Sequence, residues 1–224
     1  MSHLLGPPVD PTPRPRPSRL RHDGRYCSLV PLDPARHTAP LWDRLNDRSL
    51  DPLWTYLSDG PFLDRDSFAA SIARKSVSED PFYFAIEVDQ IAVGYCAYMR
   101  IDPTHQSIEI GSILYTPELQ RTPAATEAMY LLARHAFEDL RYRRYEWKCN
   151  SFNEPSKRAA LRLGFTHEGT FRQHFIIKGH SRDTDWYSII DSEWPDRKQR
   201  LEAWLEPANF DEQGRQRSSL SSRP

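Results

Sequence analysis

Two helix starts inside residues 107–169 constrain this chain most, because each follows directly on an apolar, strand-like run. The first is Gln120-Arg121-Thr122-Pro123-Ala124-Ala125-Thr126-Glu127. The second is Asn153-Glu154-Pro155-Ser156, leading to Leu163-Gly164-Phe165. A helix start presents N–H groups without intrahelical partners and the positive end of the helix dipole, so such a junction attracts phosphate. Two of them at this separation suit an extended, phosphate-bearing ligand.

At the first junction Thr122 suits the N-cap and Pro123 the first helical position. The N–H groups of Ala124, Ala125 and Thr126 are expected to converge on an anion. Small side chains at 124 and 125 permit close approach, and Arg121 can add a charge. The same residues also make an ordinary helix start. At the second junction Asn153 is a good N-cap. It is either a structural cap or, with the Ser156 hydroxyl, a contact to a ligand running along the preceding strand.

The length of 224 residues fits one domain with tails. A net charge of −1 leaves no global footprint for nucleic acid. Cys27, Cys96 and Cys149 match no zinc spacing, and the eight histidines contain no His-x-x-x-His pair, so no metal is expected. No apolar run approaches the roughly 20 residues that span a membrane, and Leu4-Leu5 is too short for a signal-peptide core. A cytoplasmic enzyme that binds neither nucleic acid nor membrane is the expectation.

Six prolines make residues 1–24 an expected disordered, Pro/Arg-rich arm, and residues 209–224 an expected disordered tail around a domain at 25–208. Within it, strands are expected at 26–30, 82–87, 91–101, 107–115, 145–149, 166–177 and 184–190. Helices are expected at 35–47, from Asp64 to Ser76, after Thr122, from Asn153, and at 197–205. Phe68, Ile72 and Val77 form the expected buried side of the second helix. Met129, Leu132, Ala133, Ala136, Phe137 and Leu140 share one apolar helical face. Meander strands followed by alternating helix and strand make a mixed α/β sheet.

The Gln-Arg-Thr-Pro-Ala-Ala-Thr-Glu-Ala run resembles the phosphate loop of GNAT-superfamily N-acetyltransferases, in their RimJ/RimL-like branch. Asn153-x-x-Ser156 with Leu163-Gly164-Phe165, Glu168-Gly169 and Arg172 is similar to that branch's second motif. Phe171–His174 and Lys178–Thr184 look like its closing hairpin. The resemblance implies a mostly antiparallel sheet of about seven strands flanked by helices, and acetyl-CoA as cosubstrate. It implies that the backbone at 121–126 (Arg121, Thr122, Ala124, Ala125, Thr126) holds the pyrophosphate. It also implies that Ile113, Leu114 and Tyr115 pair with the pantetheine amides and that Asn153 touches the same arm. Two residues depart from the pattern. Pro123 replaces a loop glycine and removes a donor, and Ala160 stands where many members carry a tyrosine acid. Ser156 is the substitute acid.

Acetyl transfer needs a neutral amine and stabilisation of the developing charges. A lysine amine is neutral about once in 10³ molecules at pH 7, an α-amine at roughly the ten per cent level. A base therefore matters more for a lysine-like acceptor. Glu109 is the preferred base, since period two puts it on one face with Gly111, Ile113 and Tyr115. The alternative is a surface or ion-paired glutamate. Glu127 is a rival whose position favours stabilising the helix start. Trp54 and Tyr56 either wall the acceptor pocket or pack in the core, and Trp147 and Cys149 face pocket or core. Arg172 and His174 reach the acceptor or stand exposed. The acceptor stays open between a protein N-terminal α-amine, a small-molecule amine and a lysine, and a homodimer stays open too. The competing readings are a non-catalytic CoA-binding regulatory module and an RNA-associated protein tethered by its basic arm.

Overall fold

Eight strands form one sheet in the computed structural model, which describes residues 6–221. They are β1 (His22–Asp23), β2 (Ser28–Pro31), β3 (Phe82–Val88), β4 (Ile91–Asp102), β5 (Ser107–Tyr115), β6 (Arg144–Asn150), β7 (Thr166–Ile177) and β8 (His180–Ile190). The spatial order is β1-β2-β3-β4-β5-β6-β8-β7. Every pair is antiparallel except β5–β6. A parallel pair needs a crossover connection, and helix α3 (Pro123–Arg134) supplies it. The other helices are α1 (Pro34–Leu45), α2 (Arg65–Val77), α4 (Glu154–Leu163) and α5 (Trp194–Leu205).

Strand alternation divides the core between the two sheet faces. On one face Leu41 and Leu45 of α1 and Phe68 and Ile72 of α2 cover Tyr83, Ala85, Tyr95 and Ala97. On the other, Leu132 of α3, Phe137 and α5 residues Leu201 and Trp204 join a cluster with Ile108, Ile110, Tyr145 and Trp147. The six-residue face expected from Met129 to Leu140 is buried throughout. It runs through a π turn over His135–Asp139. Val77 differs from expectation: it is the last residue of α2 and is 74% exposed.

The sheet has one strand more than expected, because His22–Asp23 pairs with Leu29 and Ser28. The proline-rich segment before it lies along the β4–β5 end of the sheet. Arg14 N–H donates to Pro103 O, Arg16 reaches Glu79 O, and Gln106 Nε2 donates to Asp10 O and Thr12 O. A polyproline-type backbone cannot bond to itself, and these neighbours take up its polar groups. The C-terminal segment likewise packs back, with Phe210 edge-on to Trp204 at 5.1 Å and Leu220 buried. Residues 1–5 of the expected arm and 222–224 of the expected tail lie outside the described residues.

Candidate active site

The sheet opens between β5 and β6. Their pairing ends at Ile110↔Trp147. The cause lies in β5, where Tyr95↔Leu114 and Ala97↔Gly111 set one residue of β4, Cys96, against two of β5, Ser112 and Ile113. The extra residue is a bulge at Ser112, whose φ is +49°. A Cβ at Gly111 would lie 2.6 Å from Met99 Sδ, so the thioether would have to move to admit a side chain there. Beyond the bulge, the backbone of 111–115 has no sheet partner on its β6 side. It is a strand edge in mid-sheet, able to pair with an extended ligand.

The bulge also reverses the face of every residue after it. Ile113 and Tyr115 pack with Ile108 and Ile110, whereas Leu114 joins the α1/α2 face. Glu109 therefore does not share a face with Ile113 and Tyr115, which corrects the period-two expectation. Tyr115 continues towards the α3 helix start and donates its hydroxyl to Ala125 O at 3.2 Å. Burial raises that phenol well above its ordinary range, so it stays a donor.

At the α3 start Thr122 is the N-cap and Pro123 the first helical residue. Thr122 Oγ1 accepts the Ala125 N–H at 3.2 Å and donates to Leu119 O at 2.7 Å. Helix geometry sends the Thr126 N–H to the Thr122 carbonyl. Of the three N–H groups expected to face an anion, only that of Ala124 is left by the cap. The left-handed turn falls at Arg121, with φ +63°, a conformation that costs a non-glycine residue about 1–2 kcal/mol. Pro123 thus removes a donor only where the helix needs none. Thr126 uses its hydroxyl, which accepts from Arg162 Nη1 at 3.0 Å.

The second junction holds Asn153 and Ser156. Asn153 Oδ1 accepts the Ser156 N–H at 3.2 Å and caps α4, and Gly164 ends that helix at φ +96°. Trp147 Nε1 donates to Ser156 Oγ at 3.0 Å. Cys149 lies beside Ser156; burial pushes its thiol up to about 11, against a smaller lowering by the Ser156 hydroxyl. Tyr56 bridges to this loop from the far side, its hydroxyl donating to Phe152 O at 3.0 Å.

A cleft of about 1180 Å³ connects the two junctions. Tyr115, Trp147, Met129 and Ala159 line its apolar part. Arg121, Arg158, Arg162, Arg197, Arg200 and Arg215 line its rim, and no carboxylate does. The last five arginines were not singled out from sequence. The signal was there for two pairs: 158/162 and 197/200 sit four and three residues apart on helices, one face each. Gly214, Arg215, Gln216 and Ser221 also line the cleft, so the C-terminal segment forms one wall.

Glu109 and Trp54 fall on the α1/α2 face. Glu109 is 3% exposed. Its carboxylate lies 2.8 Å from Arg100 Nη1 and 2.8 Å from Lys148 Nζ, the ion-paired alternative of the two readings. Trp54 is core, packed edge-on to Phe62 and Phe68. Lys178, at the tip of the β7–β8 hairpin, donates to Trp54 O and Gly60 O, both at 2.8 Å. Arg172 is exposed on β7, and His174 is half-buried beside it. Glu127 accepts N–H bonds from Arg25, Tyr26 and Cys27 at 2.7, 2.6 and 2.9 Å, so it anchors the approach to β2. Among the described residues no group of three or more His, Cys, Asp or Glu is placed to hold a metal ion. No described helix is long and apolar enough to cross a membrane.

Comparison with known proteins adds three findings. The sequence profile of the Acetyltransferase (GNAT) domain matches residues 29–166. A GCN5-related N-acetyltransferase from Brucella melitensis superposes with a TM-score of 0.91 and 45% identity, over 93% of this chain and 96% of that one. The ribosomal-protein-serine acetyltransferase of Escherichia coli is 31% identical over 111 residues. That match spans 49% of this chain and 62% of the relative's length, so less than two thirds of the curated relative is covered.

Proposed function

Because this chain belongs to the GNAT acetyltransferase family, we propose that it moves an acetyl group from acetyl-CoA to a primary amine by direct attack on the thioester. The observation that carries this reading is the unpaired β5 edge at 111–115, which runs from the bulge to a cleft lined by six arginines and no carboxylate. Coenzyme A is a polyanion with an amide-bearing arm. Arginines complement its phosphates, and the strand edge can bond its amides. The chemistry of the donor set therefore fits the molecule.

Each residue has a role under this reading. Ala124 N–H and the Arg121 and Arg162 guanidiniums hold the phosphates. Ser156 donates a proton or hydrogen bond to the leaving thiolate, since Trp147 already occupies an acceptor site on its oxygen. Asn153 caps α4 and so sets the position of Ser156. Cys149 is a neutral thiol at physiological pH, which disfavours an acetyl-cysteine intermediate and favours direct attack. Glu109, held between two cations, orders Lys148 and Arg100 rather than accepting the amine proton. The proton then leaves to water, which suits an acceptor already partly neutral at pH 7, such as an α-amine. A protein N-terminal α-amine is consistent with the name of the E. coli relative. Three free, buried cysteines suit a reducing cytoplasm. The domain proposed to carry the activity is 25–208, with the C-terminal segment closing its cleft.

Calorimetric titration of acetyl-CoA, with desulfo-CoA and ATP as controls, tests the cosubstrate. Mass-spectrometric detection of acetylated amines tests transfer. The occupied state of Glu109 favours one rival, a CoA-binding regulatory module. CoA-selective binding without turnover on α-amines, small amines or lysine peptides would support that rival.

A further inference from the structure

On the α1/α2 face of the sheet, beyond the end of β6, β8 carries a cation with no ion pair or hydrogen bond among the described residues. Arg182 pairs across with Phe175, two residues past Thr184, which itself pairs with the last residue of β6, Asn150. Arg182 forms no ion pair among the described residues, and its Nε is buried without a hydrogen-bond partner. Three more buried polar atoms around it lack partners: Trp186 Nε1, Thr184 Oγ1 and His174 Nδ1. Thr184 is wholly buried. Buried polar groups in a folded protein are normally bonded, so these four atoms on β7 and β8 leave hydrogen-bonding capacity that a ligand can take up.

The field at the patch is positive. Lys148 Nζ stacks 3.8 Å over the Trp186 ring, and the Arg100 and Arg182 guanidiniums both lie 5.8 Å from the Phe175 ring. Glu109 is in contact with Arg100 and Lys148; it acts on Arg182 only through space, and burial lowers the Arg182 guanidinium below its ordinary range. Burial and then the cations Arg100, Arg182 and Lys148 hold His174 below the ordinary histidine range, as a positive environment requires. None of these residues lines the arginine cleft, which lies against α3 and α4.

We propose that Arg182, with the Trp186 indole N–H, binds a carboxylate carried by the acceptor, so that the substrate is an amine that also bears an acid group. The proposal rests on the acetyl-transfer reading for the amine, whereas the anion site stands on its own geometry. The carboxylate has two sources: the α-carboxylate of a free amino acid, or an acidic side chain next to a peptide's N-terminus.

The test is a binding experiment that needs no turnover. N-acetylglycine, N-acetylserine and N-acetylphenylalanine, and the amide of each, are titrated into the full-length protein with CoA present, at low chloride. Calorimetry and tryptophan fluorescence report binding. Acetylation removes the amine charge, so each pair differs only in the carboxylate. A charge-assisted arginine contact predicts carboxylates tighter than amides by roughly 10- to 100-fold. Arg182→Gln should abolish that ratio with CoA affinity unchanged, and Arg182→Lys should keep part of it. Trp186→Phe should lower it severalfold, an independent check should the Arg182 variants misfold. N-acetyl-Ser-Asp-amide against N-acetyl-Ser-Asn-amide distinguishes the sources, since a preference there and not in the single amino acids places the acid on a peptide. Equal affinities in every pair, a preference that survives Arg182→Gln, or no saturable binding up to about 10 mM overturns the proposal. Failure of the wild type to bind acetyl-CoA would instead overturn the transfer reading.

Discussion

Trp147 Nε1 donates to Ser156 Oγ at 3.0 Å across the gap between β6 and α4. The indole can only donate, so the serine accepts there and keeps its own proton for another partner. The two residues come from a strand and a helix start, and the bond ties Ser156 to Trp147, which lines the cleft.

Ser156→Ala should lower kcat by about 10- to 100-fold, the effect of losing a hydrogen bond to a charged group at roughly 1.5–3 kcal/mol. The KM for acetyl-CoA should stay within about twofold, since the contact strengthens only as charge develops. Steady-state kinetics checks both. A rise in KM at unchanged kcat would make Ser156 a binding residue.

Arg162 bonds Thr126 Oγ1 and lies 4.6 Å from the Trp204 ring. Arg162→Ala should weaken acetyl-CoA binding by roughly tenfold, as for one charge-assisted contact. It should also flatten the fall of affinity with salt. Calorimetry at two ionic strengths measures both, and an unchanged salt slope would place the phosphates elsewhere.

Asn153→Ala should cost about 1 kcal/mol of stability through the lost cap and should weaken acetyl-CoA binding. Asn153→Asp restores a cap without the amide nitrogen. If thermal melts and titrations show both properties restored by aspartate, Asn153 is a cap and nothing more.

Glu127→Gln should destabilise the fold by about 2–4 kcal/mol, because a buried carboxylate taking three N–H groups becomes an amide with a donor aimed at them. Urea denaturation reads this directly. Turnover per folded molecule should be unchanged; a selective loss would return Glu127 to the chemistry.

Stability should fall with acid through His22. Burial, and then His135, hold its folded value down to about 4, against 6.5 when unfolded. Above 6.5 neither state binds the proton and the protein keeps its full stability. Between 6.5 and 4 the unfolded chain binds a proton that the folded chain refuses, so stability drops as pH falls, by at most about 3 kcal/mol. His37 moves in the same direction through burial. Urea midpoints at about pH 7.5 and 5 test this, and His22→Gln should reduce the difference between them.

Local signals placed most elements within a few residues. Both helix starts, with Thr122 and Asn153 as caps and Gly164 as the stop, follow from side-chain and backbone chemistry within a few positions of each other. The three consecutive strands at 82–88, 91–102 and 107–115 were equally legible, since alternation and turn residues are short-range. The extra edge strand was not, because His22–Asp23 is a strand only by virtue of its partner.

Where each of the two helices starts is written in a few neighbouring residues, because capping and the helix dipole act within one turn. Which face each strand residue serves depends instead on how the strands pair and pack. One bulge at Ser112 turned Ile113 and Tyr115 to the face opposite Glu109, and a single inserted residue of that kind leaves no mark in a period-two pattern. Tertiary packing likewise gathered six arginines from four segments around one cleft, bound Glu109 between Arg100 and Lys148, and left Arg182 with no ion pair among the described residues. Charges far apart in sequence meet only when the strands and helices that carry them have packed.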